Sequence, residues 1–154
     1  MDLYLRKASI EDSEKIQEMQ IVGFKALLEK YADFETNPGA ETLERVRRRF
    51  GFDNVNHYFI CLHDEDIGYI RIQCLDGETC TLSQMFILPD YQGNGYAQMA
   101  ITQAESFYPN ATRWTLDTIK QEPKLRHLYE KMGYKLTGTE KNIKQGMDIV
   151  DYAK

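Results

Sequence analysis

Along the chain the spacing of apolar residues switches between two periods, and the switches mark the elements. Leu3 to Ala8 alternates as a short strand, and Ser9-Ile10-Glu11-Asp12 is a capping-box start for a helix carrying Ile16, Met19, Phe24, Leu27, Leu28 and Tyr31. Asn37-Pro38-Gly39 breaks that helix, and a second follows from about Glu41 to Phe50. The period then becomes strand-like. Tyr58 to Leu62, Ile67 to Leu75 and Thr79 to Leu88 are rich in β-branched, aromatic and apolar residues, separated by His63-Asp64-Glu65-Asp66 and Asp76-Gly77. Connections this short join only antiparallel neighbours, since a parallel crossover needs about a dozen residues or more, so a meander is predicted here.

Helical spacing returns after Pro89, with Ala97, Ala100, Ile101, Ala104 and Phe107 on one face until Tyr108-Pro109-Asn110 stops it. Trp114 to Ile119 reads as the next strand, and Pro123 to Met132 as the next helix, ended by Gly133 at a C-cap position. Tyr134 to Thr139 and Met147 to Tyr152 read as closing strands around a polar turn at Asn142 to Gly146. No repeat, low-complexity tract or linker interrupts this order, so residues 1–154 are expected to form one α+β domain.

Composition agrees and narrows the function. With 42% hydrophobic and 28% charged residues, 154 residues suit a single sizeable core. No apolar run approaches the roughly eighteen residues of a membrane span. The start, Met1-Asp2-Leu3-Tyr4-Leu5-Arg6, lacks the basic and apolar regions of a signal peptide, so a cytoplasmic protein without a membrane partner is expected. A net charge of −5 argues against a nucleic-acid partner and leaves room for a cationic substrate. The one basic run, Arg45 with Arg47-Arg48-Arg49, accompanies the apolar positions Leu43, Val46 and Phe50 and reads as a solvated helix face. Cys61, Cys74 and Cys80 lie in apolar alternating runs without metal or redox spacing and read as reduced, half-buried strand cysteines. His57, His63 and His127 show no metal-ligand spacing, and no metal is expected.

The most informative stretch is Phe86-Ile87-Leu88-Pro89-Asp90-Tyr91-Gln92-Gly93-Asn94-Gly95-Tyr96-Ala97, which carries a strand into a helix. Its two glycines allow positive φ and close backbone approach, and the helix start offers unpaired N–H groups to an anion. By itself this is also compatible with an ordinary strand-to-helix turn. A Walker A loop fails because Tyr96-Ala97 follows Gly95 where Lys and Ser or Thr are needed. A dinucleotide fingerprint would use Gly93 and Gly95, with Asp117 as a downstream ribose contact. It lacks Gly or Ala at Gln98 and follows a meander instead of a βαβ unit.

Gln92-x-x-Gly95-x-Ala97 after a strand ending in x-Pro89 resembles the Q/R-x-x-G-x-G/A signature of the GNAT superfamily, the acyl-CoA N-acyltransferases. Leu128-Tyr129-Glu130-Lys131-Met132-Gly133-Tyr134 is similar to a second run of that family, in the expected order and on the expected element, and the element order resembles the family's over the whole chain. The resemblance implies the GNAT-type α+β fold, a mixed, mostly antiparallel sheet of about seven strands with four helices. It implies acetyl transfer from the co-substrate acetyl-CoA to a primary amine of a small molecule or peptide. The alternative is a non-catalytic CoA-binding or sensing module on the same fold. Small relatives often pair through a sheet edge, so a homodimer is compatible with it.

By the same resemblance, the amides of Gln92, Gly93, Asn94, Gly95, Tyr96, Ala97 and Gln98 would bind the pyrophosphate of CoA, with little role for the Asn94 and Gln98 side chains. Met85, Phe86 and Ile87 would pair with pantetheine where their strand splays from its neighbour at a bulge. Tyr129 stands at the position of the family's general acid beside the sulfur; its apolar neighbours Leu125, Leu128 and Met132 equally suit a packing tyrosine. Asp117, on the strand face opposite Trp114 and Leu116, is the candidate base, or else a hydrogen-bonded carboxylate or an ammonium anchor. Glu122 stands where many relatives carry Asn, which puts that contact in doubt, with Gln121 beside it as a substitute. The acceptor side falls to the first two helices and last two strands. Tyr31, Phe34 and the acidic residues Glu29, Asp33 and Glu35 suggest a cationic or amphipathic amine, although those carboxylates also suit solvated surface.

Overall fold

A computed structural model describes residues 3–154; Met1 and Asp2, with which the N-terminal reading opens, lie outside it. Strands β1 (Leu3–Lys7), β2 (Val55–Leu62), β3 (Glu65–Cys74), β4 (Thr79–Ile87), β5 (Arg113–Ile119), β6 (Lys135–Lys144) and β7 (Met147–Ala153) form one sheet in the order β1-β2-β3-β4-β5-β7-β6. Every neighbouring pair is antiparallel except β4 and β5. The predicted meander is β2-β3-β4.

Among the described residues five α-helices accompany the sheet: α1 (Ser13–Gly23), α2 (Lys25–Tyr31), α3 (Leu43–Arg48), α4 (Tyr96–Ser106) and α5 (Pro123–Lys131). The extra one arises because the first expected helix is divided. The capping box forms, with Asp12 Oδ2 accepting from the Ser9 amide at 2.9 Å, but it opens a 3-10 turn, and α1 ends at Gly23. A Cβ on Gly23 would lie 2.5 Å from the Phe86 ring, so the glycine lets α1 rest against β4 while weakening the helix there. The chain restarts as α2 after Phe24 and stops at Ala32, in the left-handed region with φ of 51°.

The core lies on both faces of the sheet, which explains the unbroken apolar run of β2. Tyr58, Ile60 and Leu62 join Ile70, Ile72, Leu82, Trp114, Leu116 and Tyr152 beneath Ala100, Ile101 and Ala104 of α4 and Tyr129 of α5. Phe59 and Cys61 join Tyr69 and Phe86 beneath Ile16 and Met19 of α1 and Val46 of α3. The closing hairpin is longer than the sequence suggests: β6 runs to Lys144, and Asn142 pairs with Asp148, so the turn is confined to Gln145 and Gly146. As an exposed edge strand, β6 is rich in Lys and Thr, which fit its solvated faces but hide its strand period.

Two cysteine expectations change. Cys74 and Cys80 face each other across the β3–β4 hairpin and form a disulfide, with Cα atoms 4.2 Å apart; the register of the short turn brings them together. Cys61 is buried and free. No helix among the described residues is long and apolar enough to cross a membrane.

Candidate active site

The parallel pairing of β4 with β5 lasts only from Thr79 opposite Arg113 to Thr81 opposite Thr115, where the two threonine hydroxyls are 2.8 Å apart. Beyond them the strands separate. The cause is visible on the other edge of β4: Ile72 pairs with Leu82 and Arg71 with Gln84, so Ser83 is an extra residue that bends β4 at a bulge. The edge of β4 from Leu82 to Ile87 therefore has no strand partner on the β5 side. A cleft of about 760 Å³ fills the wedge and extends to both faces of the sheet.

One end of the cleft is the glycine turn. Gly93 and Gly95 have φ of 82° and 79°, and no atom lies within 4 Å of the Cβ either would carry, so both face open space in a conformation suited to glycine. Gln92 Nε2 donates to the Ile87 carbonyl at 2.8 Å, fastening the turn to the end of β4. Gly95 caps α4, and its carbonyl accepts from the Met99 amide at 3.2 Å. The amides of the first turn before Met99 are left for an external acceptor. Gln92, Gly93, Gly95, Tyr96, Ala97 and Gln98 line the cleft, as do Met85, Phe86 and Ile87 from the unpaired edge. Asn94 is apart from that lining; its side chain folds back to donate to the Tyr91 and Gln92 carbonyls at 3.2 Å each.

Tyr129 and Asp117 come from opposite faces of the sheet and meet in the wedge between β4 and β5. Tyr129 is 7% exposed and stands edge-on to Tyr134, with ring centroids 6.3 Å apart. Burial pushes its phenol up to about 12, with the Asp117 charge adding to the effect. Asp117 keeps contact with solvent but is crowded by protein atoms. Desolvation, and then Asp151 directly opposite on β7, hold its carboxyl above the usual carboxylate range.

Neither residue at the usual Asn position faces the cleft as an amide. The Glu122 carboxylate accepts from Lys30 Nζ at 2.6 Å and from the Tyr31 hydroxyl, tying α2 to the start of α5. Burial pushes Glu122 up, but these two partners outweigh it and hold it below the usual range. Gln121 is no substitute, because its amide is spent on Asp148: Nε2 donates to Oδ2 at 2.7 Å and Oε1 accepts from the backbone at 2.9 Å.

The end of the cleft beneath α1 and α3 holds residues that the sequence pattern does not single out. Gln84 Nε2 donates to Gln20 Oε1 at 3.0 Å, and Gln20 Nε2 donates to Glu41 Oε1 at 3.1 Å. Arg49 grips Glu41 with both terminal nitrogens, one at 2.6 Å from Oε1 and the other on Oε2. Arg71 Nη1 donates to Gln84 Oε1 at 3.1 Å. Burial pushes Glu41 up, yet Arg49 holds it below the usual range, while burial lowers Arg71. Arg49 thus departs from the solvated basic face, where Arg45, Arg47 and Arg48 remain. The alternation of β3 contains a signal for Arg71: it interrupts Ile70 and Ile72 on the opposite face and shares a face with Tyr69. Of the acidic residues near α2, Glu29 and Glu35 are exposed, whereas Asp33 is buried and accepts from the Thr36 amide at 3.2 Å.

His57 is buried against Phe50, with ring centroids 3.9 Å apart, and pairs through Nδ1 with the Tyr69 hydroxyl at 2.6 Å. Among the described residues no group of three or more His, Cys, Asp or Glu side chains is placed to hold a metal ion.

Comparison with solved structures finds the same fold throughout. An acetyltransferase from Thermus thermophilus superposes with a TM-score of 0.78 at 19% identity, covering 100% of this chain and 97% of that one. A spermidine N-acetyltransferase from Vibrio cholerae, in complex with CoA and spermine, gives 0.78 at 20% identity, covering 99% and 94%. A Salmonella typhimurium acetyl transferase that modifies the N-terminal serine of ribosomal protein L7/L12 gives 0.76 at 15% identity, covering 99% and 94%. No curated protein matches the sequence. The sequence model of the acetyltransferase (GNAT) family matches residues 24–134, which include the glycine turn, the splayed strands, Asp117 and Tyr129, and the chain belongs to that family.

Proposed function

We propose that this chain, as one acetyltransferase domain over residues 1–154, moves an acetyl group from acetyl-CoA to a primary amine of a small molecule or peptide, by direct attack in a ternary complex. The observation that carries the reading is the junction of two features: a helix-start turn with unpaired amides and open space above Gly93 and Gly95, and a strand edge freed by the Ser83 bulge. The turn suits a pyrophosphate, and the free edge suits the amide groups of a pantetheine arm. Solved relatives with the same fold include one in complex with CoA and spermine.

In this reading Asp117 takes the proton that an acceptor ammonium must lose, and its raised pKa makes it a better base than an ordinary aspartate. The amine nitrogen bonds to the carbonyl carbon, the carbon–sulfur bond breaks, and the Tyr129 hydroxyl gives its proton to the departing thiolate. The nitrogen sheds its second proton to solvent, and Tyr129 is reprotonated. A phenol held near 12 stays protonated at neutral pH, as an acid must. Holding both reactants in one wedge supplies a large part of the rate.

A thiol-release assay with acetyl-CoA and a panel of polyamines, aminoglycosides, amino acids and N-terminal peptides tests the proposal. CoA release with at least one amine is expected. No release from any of them, together with no acetyl-CoA binding by calorimetry, overturns it.

A further inference from the structure

Arg71 and Asp117 lie on the same face of the sheet, on β3 and β5, with β4 between them. Arg71 alternates with Ile70 and Ile72 and shares the side of Tyr69; Asp117 alternates with Trp114 and Leu116. Adjacent strands are about 4.8 Å apart, so the two side chains rise from backbones at least about 10 Å apart and line one cleft between them.

The cleft lining carries carboxylates at Asp33, Glu41, Asp117 and Glu122 and cations at Arg49, Arg71, Lys124 and Lys141, but they are not paired evenly. Glu41 is a carboxylate that feels Arg71, but its oxygens are taken by both Arg49 nitrogens and by Gln20. Among the described residues Arg71 forms no salt bridge; its side-chain hydrogen bonds run to neutral groups, the Gln84 amide and the Tyr69 hydroxyl. That amide is itself fixed by Gln20, so the guanidinium is held in one orientation. A half-buried cation whose neighbouring carboxylate is bonded to another arginine gains from a ligand anion that pairs with it directly. The guanidinium fork matches a carboxylate in shape and charge.

We propose that the acceptor is an amine that also bears a carboxylate, of amino-acid type, whose carboxylate pairs with Arg71 while its ammonium faces Asp117. This rests on the acetyl-transfer reading above and names the substrate class of the same site. It departs from the cationic amine suggested by the acidic residues near α2. Glu29 and Glu35 are not part of the cleft lining, and Asp33 is engaged by Thr36.

The test compares matched acceptors with the wild-type protein: amino acids with α-, β- and γ-spaced carboxylates, the corresponding amides, and a polyamine. At least one acid is expected to show a kcat/KM roughly ten- to hundredfold above its own amide and above the polyamine. Arg71→Met should erase that preference chiefly through KM, and Arg71→Lys should restore part of it, with acetyl-CoA affinity unchanged in both. Short peptides with free and amidated C-termini separate a free amino acid from a peptide acceptor, since either satisfies the same chemistry. If acetyl-CoA binds but the amides and the polyamine are acetylated as well as the acids, or no acid is acetylated, the substrate assignment is overturned while acetyl transfer stands. If acetyl-CoA does not bind, both fall. An Arg71→Met variant that keeps the acid-over-amide ratio also overturns it. Should that variant not fold, the wild-type acid-to-amide ratio decides.

Discussion

The side chain of Gln92 donates to the carbonyl of Ile87 at 2.8 Å, which fastens the glycine turn to the end of the splayed strand. Gln92→Ala removes this link and leaves the Ile87 carbonyl without its donor. One net hydrogen bond is worth about 0.5–1.5 kcal/mol, so acetyl-CoA affinity is expected to fall roughly three- to tenfold in calorimetry. Unchanged affinity would mean that the anchor does not shape the turn.

Tyr129→Phe keeps the ring against Tyr134 and removes only the hydroxyl. If that hydroxyl protonates the thiolate, kcat should drop by about 10²–10⁴, with acetyl-CoA affinity nearly unchanged. Turnover undiminished across pH would reduce Tyr129 to a packing residue.

Asp151 lies opposite Asp117 and helps to hold its carboxyl above the usual range. A base works only when deprotonated, so activity is lost as pH falls through its pKa. Asp151→Asn removes the like charge and lowers that pKa, so the acid limb of kcat/KM should move to lower pH. A limb that stays in place would argue for another base.

His57 reports on stability. Burial, and then Arg71, hold it down to about 4, against an ordinary value of 6.5. Between those values the unfolded chain binds a proton that the folded chain refuses, so this group makes stability fall as pH declines from about 6.5 to about 4. Chemical denaturation across that window should show the decline, and His57→Phe, which preserves stacking on Phe50, should flatten it.

How far the sequence alone reaches differs along the chain. The meander, α4, α5 and the turn were legible because period, turn residues and local motifs agree there. The division of α1 from α2 was not, since it depends on Gly23 meeting Phe86 of a distant strand. The disulfide depends on hairpin register, and β6 lacks the apolar alternation of a buried strand because both its faces are solvated. In the site, the donor end is local in sequence and therefore readable. The acceptor end gathers Gln20, Glu41, Arg49, Arg71 and Gln84 from four separate stretches, and their pairing exists only in the folded chain.

The most direct test of the account is acetyl-CoA affinity by calorimetry in the wild type and in Gly95→Glu. The substitution forces a side chain into φ of 79° and puts a negative charge in the open space above the turn. Displacement of the turn by that strain, together with repulsion between the carboxylate and the pyrophosphate, predicts a loss of affinity of roughly tenfold with the fold retained. Equal affinity in the two proteins would contradict pyrophosphate binding at Gln92 to Gln98.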